Sequence, residues 1–157
     1  MNFLIGEYEC KLDAKGRMVV PAALKRQLPD VEREGLVVNR GFDGNLVIYT
    51  RTEWNKILSQ LSRLNQFQAK NRDFVRKFTS GATELTLDSA GRVLLPKNLL
   101  DYAQVGSELM LVCNLSKVEL WSKAKHEERM NAISEEDFSD LAESVMGDFD
   151  LEGGFNV

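Results

Sequence analysis

Histidine is almost missing from this chain: His126 is the single one in 157 residues. A lone histidine at the start of a predicted helix reads as a surface or capping residue rather than a catalyst or a ligand. No Cys-x-x-Cys, His-Glu-x-x-His, Gly-x-Ser-x-Gly or Gly-x-x-x-x-Gly-Lys run occurs either. Cysteine is equally sparse. Cys10 and Cys113 fall on predicted strands far apart in the chain and read as buried apolar residues of a cytosolic protein. No apolar run approaches the roughly 18–20 residues that cross a bilayer. Met1 to Gly6 has no basic start and too short an apolar run for a signal peptide. These absences leave enzyme, metalloprotein, disulfide-scaffold and membrane classes without support. The expectation is a cytoplasmic protein with no metal, no cofactor and no small-molecule substrate.

Net charge is low, at −4, and by itself argues against a nucleic-acid partner. The distribution argues otherwise. Residues 1–126 hold 19 Lys and Arg against 14 Asp and Glu, whereas residues 127–157 hold 1 against 10. A mildly basic body with an acidic appendage suits a polyanion-binding protein. A solvated acidic helix and tail serving only solubility fits the same numbers, and charge alone does not choose between them.

What the chain does have is a repeat. Asp13-Ala14-Lys15-Gly16-Arg17 returns 75 positions later as Asp88-Ser89-Ala90-Gly91-Arg92. The frame returns in register: Gly6 with Gly81, Glu9 with Glu84, Leu12 with Leu87, Pro21 with Pro96, Leu24 with Leu99. A motif set twice in the same frame marks a duplicated structural unit.

Each unit reads as strand, tight turn, short strand, short helix and hairpin. In the first, Leu4 to Leu12 leads into the turn at Gly16, Arg17 to Val20 is a strand, and Pro21 opens a short helix that Pro29 ends. Leu36-Val37-Val38 and Leu46 to Tyr49 then flank a turn containing Asp43-Gly44. The second unit repeats this through Thr83–Leu87, Val93–Leu95, Pro96, Glu108–Cys113 and Val118–Trp121. It is about three residues shorter, a deletion expected in the loop after the short helix. Between the units, Thr50 and Glu53 propose a capping box for a helix with Trp54, Ile57, Leu58 and Leu61 on one face. A second helix is expected over about Gln66 to Phe78, with Phe67, Phe74, Val75 and Phe78 as its stripe. Further helices follow Lys123 and the Ser134/Asp137 cap.

No crossover helix separates strands within a unit, so the sheets should be small and mostly antiparallel. The fold class is α+β: two pseudo-symmetric small β units flanked by helices. Neither unit alone can bury an independent core, so the two should pack around a pseudo-two-fold axis. The expected organisation is a first unit at 5–50, a helical connector at 51–79, a second unit at 80–122, C-terminal helices at 123–146 and an acidic tail at 147–157.

The repeated turn is the candidate site. Lys11, Lys15 and Arg17 gather at the first copy, where a guanidinium fork can take a guanine edge or a phosphate and lysine adds a point charge. The second copy presents Arg92 alone, because Ala90 stands where the lysine was. Asp13 with Gly16, and Asp88 with Gly91, read as the structural half of each turn. Asp13 and Asp88 each have an arginine four positions on, which would keep the carboxylate ionised and unsuited to proton transfer. On these residues alone, Arg17 and Arg92 either contact a partner or only hold the aspartates.

The pattern Gly6-x-x-x-x-x-Leu12-Asp13-x-x-Gly16-Arg17-x-x-x-Pro21, written again from Gly81 to Pro96, resembles the MraZ family. So does the Trp54 helix with its trailing Leu61-Ser62-Arg63-Leu64. The resemblance covers about residues 1–133. It implies a bacterial transcriptional regulator of two tandem units of the swapped-hairpin type found in AbrB and SpoVT regulators, a double-psi-like β-barrel. It implies double-stranded DNA as partner, at short direct repeats upstream of the division and cell-wall gene cluster that contains the protein's own gene. It further implies a ring-shaped homo-oligomer, association with the nucleoid, and repression as the usual outcome. The family's DNA-contacting arginine falls on Arg17, with Lys15 beside it, and Arg92 matches the motif in the second unit. An oligomeric scaffold that binds a protein partner through the same surface is the alternative.

Overall fold

The computed structural model describes residues 3–147 and Phe149. The first repeat supplies β1 (Glu7–Lys11), β2 (Arg17–Val19), the short helices α1 (Ala22–Lys25) and α2 (Val31–Glu34), and the hairpin β3 (Leu36–Arg40) and β4 (Leu46–Thr50). Two connecting helices follow, α3 (Arg51–Leu61) and α4 (Ala69–Thr79). The second repeat supplies β5 (Thr83–Leu85), β6 (Arg92–Leu94), α5 (Lys97–Tyr102), and the hairpin β7 (Glu108–Asn114) and β8 (Lys117–Ser122). The chain then enters α6 (Lys123–Asn131) and α7 (Glu135–Met146).

The strands form an antiparallel six-stranded sheet of order β1-β7-β8-β4-β3-β5 and a separate two-stranded ribbon of β2 and β6. That order reads the same from either end once the repeats are interchanged. β1 of the first repeat pairs with β7 of the second, and β5 of the second pairs with β3 of the first. The hairpins meet through β4 and β8, with Val47 opposite Glu119 at the centre. Each repeat therefore completes the other's sheet, which is why the tandem copies share one core.

The closed barrel expected from the resemblance is not what these ladders make. The six-stranded sheet is open, with β1 and β5 at its edges, and β2 and β6 bond to each other instead of bridging those edges. The ribbon covers the sheet rather than continuing it. Met18 and Val93 point inward from its centre into the main apolar cluster, which also takes Leu24 and Leu99 from the short helices and Val38, Ile48, Leu111 and Leu120 from the hairpins.

β3 and β4 are buried on both faces. Leu36, Val38, Leu46 and Ile48 turn to the main core, while Val37, Val47 and Tyr49 meet Trp54 in a second cluster. Trp54 lies 5.4 Å from the Tyr49 ring and 5.9 Å from Phe78 of α4, fixing the connecting helices to the sheet. Thr50 caps α3 by accepting a hydrogen bond from the Glu53 amide at 3.2 Å. The reciprocal half of the capping box is absent because the Glu53 carboxylate goes to Lys56. α4 begins later than expected, so Phe67 precedes it and stands exposed instead of joining its stripe.

The repeated frame residues now have physical roles. Glu9 pairs with Lys123 at the end of the second hairpin, and Glu84 pairs with Arg51 at the end of the first. Both pairs cross from one repeat to the other. The shortening of the second repeat is shared between two places. Part lies after the short helix, where α2 has no counterpart, and part lies in the hairpin turn: the Arg40–Leu46 pair corresponds to Cys113–Val118, one residue closer together.

Among the described residues, those from Ala124 onward form a second compact unit. Within it Ser134 caps α7 by accepting from the Asp137 amide at 3.1 Å, and Glu135, Glu136 and Asp137 occupy the first turn, where negative charge suits the helix dipole. The acidic tail expected from residue 147 lies, apart from Gly147 and Phe149, outside the described residues.

Candidate nucleic-acid interface

Each repeated turn is organised by its aspartate. Asp13 Oδ1 accepts from the backbone amides of Lys15 and Arg17, both at 2.9 Å, and Oδ2 accepts from Arg17 Nε at 2.7 Å. Asp88 does the same with the amides of Ala90 and Arg92, at 2.9 Å, and with Arg92 Nε at 2.9 Å. A carboxylate two residues before the turn's apex satisfies amides that the turn would otherwise leave to water. Gly16 and Gly91 adopt φ +82° and +76°, and their amides bond back to the carbonyls of Asp13 and Asp88 at 3.0 Å.

The backbone amide of the arginine, above all, holds the Asp13 and Asp88 carboxyls below the ordinary carboxylate range; the guanidinium and the second amide add to it against a desolvation effect that opposes. Both aspartates are therefore anions at neutral pH and cannot serve as proton donors. Each arginine spends Nε on its aspartate, and its two terminal nitrogens have no protein partner among the described residues. The guanidinium is thus aimed by one hydrogen bond while its outward fork stays available.

The turns are also tied to each other. Gly16 C=O accepts from the Leu95 amide, and Gly91 C=O from the Val20 amide, each at 3.0 Å. These bonds extend the β2–β6 ribbon at both ends and make each repeat hold the other's turn. In the ribbon, Arg17 stands opposite Leu94 and Val19 opposite Arg92. With Met18 and Val93 pointing inward, the period-2 alternation puts Arg17, Val19, Arg92 and Leu94 on one outward face. The two arginines are diagonal neighbours there, about 7–8 Å apart at the backbone.

The two ion pairs are geometrically alike, and nothing in them ranks one arginine above the other. The surroundings differ. At the first turn, exposed Lys15 and Lys97 line a groove of about 380 Å3 with Asp13, Gly16 and Leu100. Lys11, at the end of β1, is exposed on the strand that leads into this turn. At the second turn the nearby cation is Lys25, which is paired with Glu32, as Lys97 at the first turn is with Asp101 at 3.5 Å; Lys15 has no counterpart there. Lys97 is the basic residue that a reading of the motif alone misses. Its signal was the position after the repeated proline, which is Ala22 in the first copy and Lys97 in the second. The exchange of strands carries it to the first copy's turn.

Burial pushes the Cys10 thiol up to about 11, so it stays protonated and unreactive, and both cysteines are free. Among the described residues no group of His, Cys, Asp and Glu could hold a metal ion, and no helix is long and apolar enough to cross a membrane.

The model of the MraZ protein family, described as antitoxin-like, matches residues 3–77 and matches again over residues 78–149. This chain belongs to the MraZ family. It is a transcriptional regulator of that family with two tandem MraZ domains, and the family is not an enzymatic one. The transcriptional regulator MraZ of Christiangramia forsetii is 44% identical over 96% of this chain and 97% of its own. That of Cytophaga hutchinsonii is 42% identical over 93% of this chain and 96% of its own. That of Flavobacterium psychrophilum is 40% identical over 94% of both. The turn motif, seen twice in the chain, thus sits once in each matched MraZ domain.

Proposed function

We propose that this MraZ family member is a sequence-specific DNA-binding regulator that reads double-stranded DNA with the outward face of the β2–β6 ribbon and its two turns. Arg17 and Lys15 are the main contacts, Lys11 supports them, and Arg92 contributes from the second turn. Asp13, Gly16, Asp88 and Gly91 hold the geometry. The observation that carries this reading is the pair of aspartate-aimed guanidiniums, one from each repeat, on one exposed ribbon face. Two-stranded ribbons can enter the major groove, which is about 12 Å wide, and a guanidinium fork matches guanine O6 and N7.

In finer terms, the protein binds short direct repeats upstream of its own operon in the division and cell-wall gene cluster, mostly as a repressor, as a ring-shaped homo-oligomer in the cytoplasm, associated with the nucleoid. The unequal ends of the ribbon support this. Lys15 and Lys97 make one end more basic, so each ribbon has a polarity on DNA, and head-to-tail subunits would present that polarity repeatedly. Several weak contacts would combine through effective concentration. The strand exchange between repeats supports kinship with the swapped-hairpin regulators AbrB and SpoVT. In domain terms the reading keeps units at 5–50 and 80–122, a connector at 51–79, C-terminal helices at 123–146 and an acidic tail at 147–157.

The test is titration of the full chain against a duplex carrying the DNA upstream of its own gene and against a scrambled duplex, over a range of salt. Binding should favour the upstream duplex and weaken steeply with salt, by about 0.9 log units per log unit of salt for each phosphate contacted. No binding to either duplex at low salt would leave the protein-binding scaffold as the better reading.

A further inference from the structure

The ribbon face carries two side chains that its charge does not explain. Val19 is 57% exposed and Leu94 is 59% exposed. They occupy the same position in the two repeats, two residues after each motif arginine. Each stands directly across the ribbon from the other repeat's arginine: Leu94 from Arg17, Val19 from Arg92. Single exposed apolar residues on a protein surface need no explanation. An equivalent pair, each set beside a guanidinium whose fork is open, forms a composite surface of two cation-plus-apolar units.

We infer that Val19 and Leu94 are specificity-determining residues that read thymine C5 methyl groups in the major groove, each beside a guanine taken by the arginine opposite it. This rests on the DNA reading above and adds what that reading leaves out, namely how bases other than guanine are recognised. The chemistry follows from the groove. Guanine offers two acceptors, which suit the guanidinium, and thymine alone offers a methyl group, which suits an apolar side chain. Directly opposed residues on a ribbon have Cβ atoms about 4.5–5.5 Å apart. Successive bases on a strand are about 3.4 Å apart. An arginine and its cross-strand neighbour therefore reach bases one or two steps apart. The charge of the face selects nucleic acid over an apolar protein partner, because docking an apolar surface there would bury the terminal nitrogens of two guanidiniums without acceptors, each carboxylate being engaged at Nε only.

The experiment uses the full chain and the upstream duplex, with each thymine in turn replaced by deoxyuridine. This removes one methyl group and leaves base pairing intact. Affinities are measured by fluorescence anisotropy for the unaltered protein, Val19→Ala and Leu94→Ala. At one or more thymines the unaltered protein should bind the uracil duplex about fourfold more weakly, the worth of one buried methyl. Each alanine variant should lose that discrimination at its own thymine and keep it at the other's. The ratio should be the same at low and high salt, unlike the affinity itself. Equal binding of thymine and uracil duplexes at every position would overturn the inference and leave the DNA reading standing. Discrimination that survives in both variants would also overturn it, since another residue would be reading the methyl. Absence of binding to any duplex at low salt would overturn the DNA reading, and this inference with it. The uracil arm uses the unaltered protein, so it does not depend on how the variants fold.

Discussion

Replacing Arg17 with alanine separates the two jobs that its side chain could do. The turn itself does not depend on the guanidinium, because Asp13 still accepts from the amides of residues 15 and 17. The lost ion pair is exposed and only four residues apart in sequence, a type that adds little to stability. Arg17→Ala should therefore unfold at nearly the same denaturant concentration as the parent. DNA binding should suffer far more. Losing one bidentate contact to guanine costs about 1–3 kcal/mol of discrimination, or about 5- to 140-fold per engaged turn. Where several copies engage one promoter, these factors multiply. Anisotropy titrations against upstream and scrambled duplexes read the effect, and the decisive quantity is their ratio. Arg17→Ala should collapse the ratio. Lys15→Ala should weaken both duplexes together and lower the salt slope by about 1. Arg92→Ala should fall between the parent and Arg17→Ala, since Ala90 stands where the first turn has Lys15 and the nearby Lys25 is paired with Glu32. An unchanged ratio in Arg17→Ala would refute the base-reading role, and a large loss of stability would show that the pair is structural.

Other perturbations test the frame that aims these residues. Gly35 has φ +69° and ψ −161°, a region that is essentially glycine-only, and a Cβ there would stand 2.4 Å from the Leu85 carbonyl oxygen. Gly35→Ala should cost more than about 3 kcal/mol, beyond the range of backbone strain alone. Gly91→Ala, with open space around it, should cost only about 1–2 kcal/mol; equal costs in urea denaturation would contradict this account. Trp54→Ala should lose about 3–5 kcal/mol by emptying the second cluster, and a loss under about 1 kcal/mol would mean the connecting helices are not fixed by it. Asp13 and Asp88 titrate below their ordinary 3.8, so their contribution to stability is present above that value and disappears as pH falls through their lower folded values. The Asp13→Asn/Asp88→Asn protein should be less stable than the parent from about pH 5 upward. The two denaturation midpoints should converge in stronger acid, and a gap unchanged down to the most acid pH would count against the ion pairs.

Most of the local structure was legible because it rests on local chemistry. Proline ahead of a short helix, glycine at a positive-φ turn, threonine and serine caps and β-branched runs each act over a few residues, and each marks its element here. Phe67 shows the limit. Helical spacing extends the pattern back to it, but the cap that starts α4 falls after it. The helix at Val31–Glu34 is a single turn with too few residues for periodicity to show. Lys97 shows a different limit, since its role depends on which turn it stands beside, and no spacing along its own repeat reveals that.

By itself the sequence determined that two copies of one turn exist, that each sets an arginine four positions after an aspartate, and that the first is the more basic. Those facts are written in residues only four positions apart. Tertiary structure decided the rest. It exchanged β1 and β5 between the repeats, tied each turn's glycine to the other repeat's strand, and set Arg17 and Arg92 diagonally on one ribbon. The reason is burial. Neither repeat can cover its own hairpin, so each borrows a strand and half a ribbon from the other. The partner strands lie too far along the chain for any local pattern to name them.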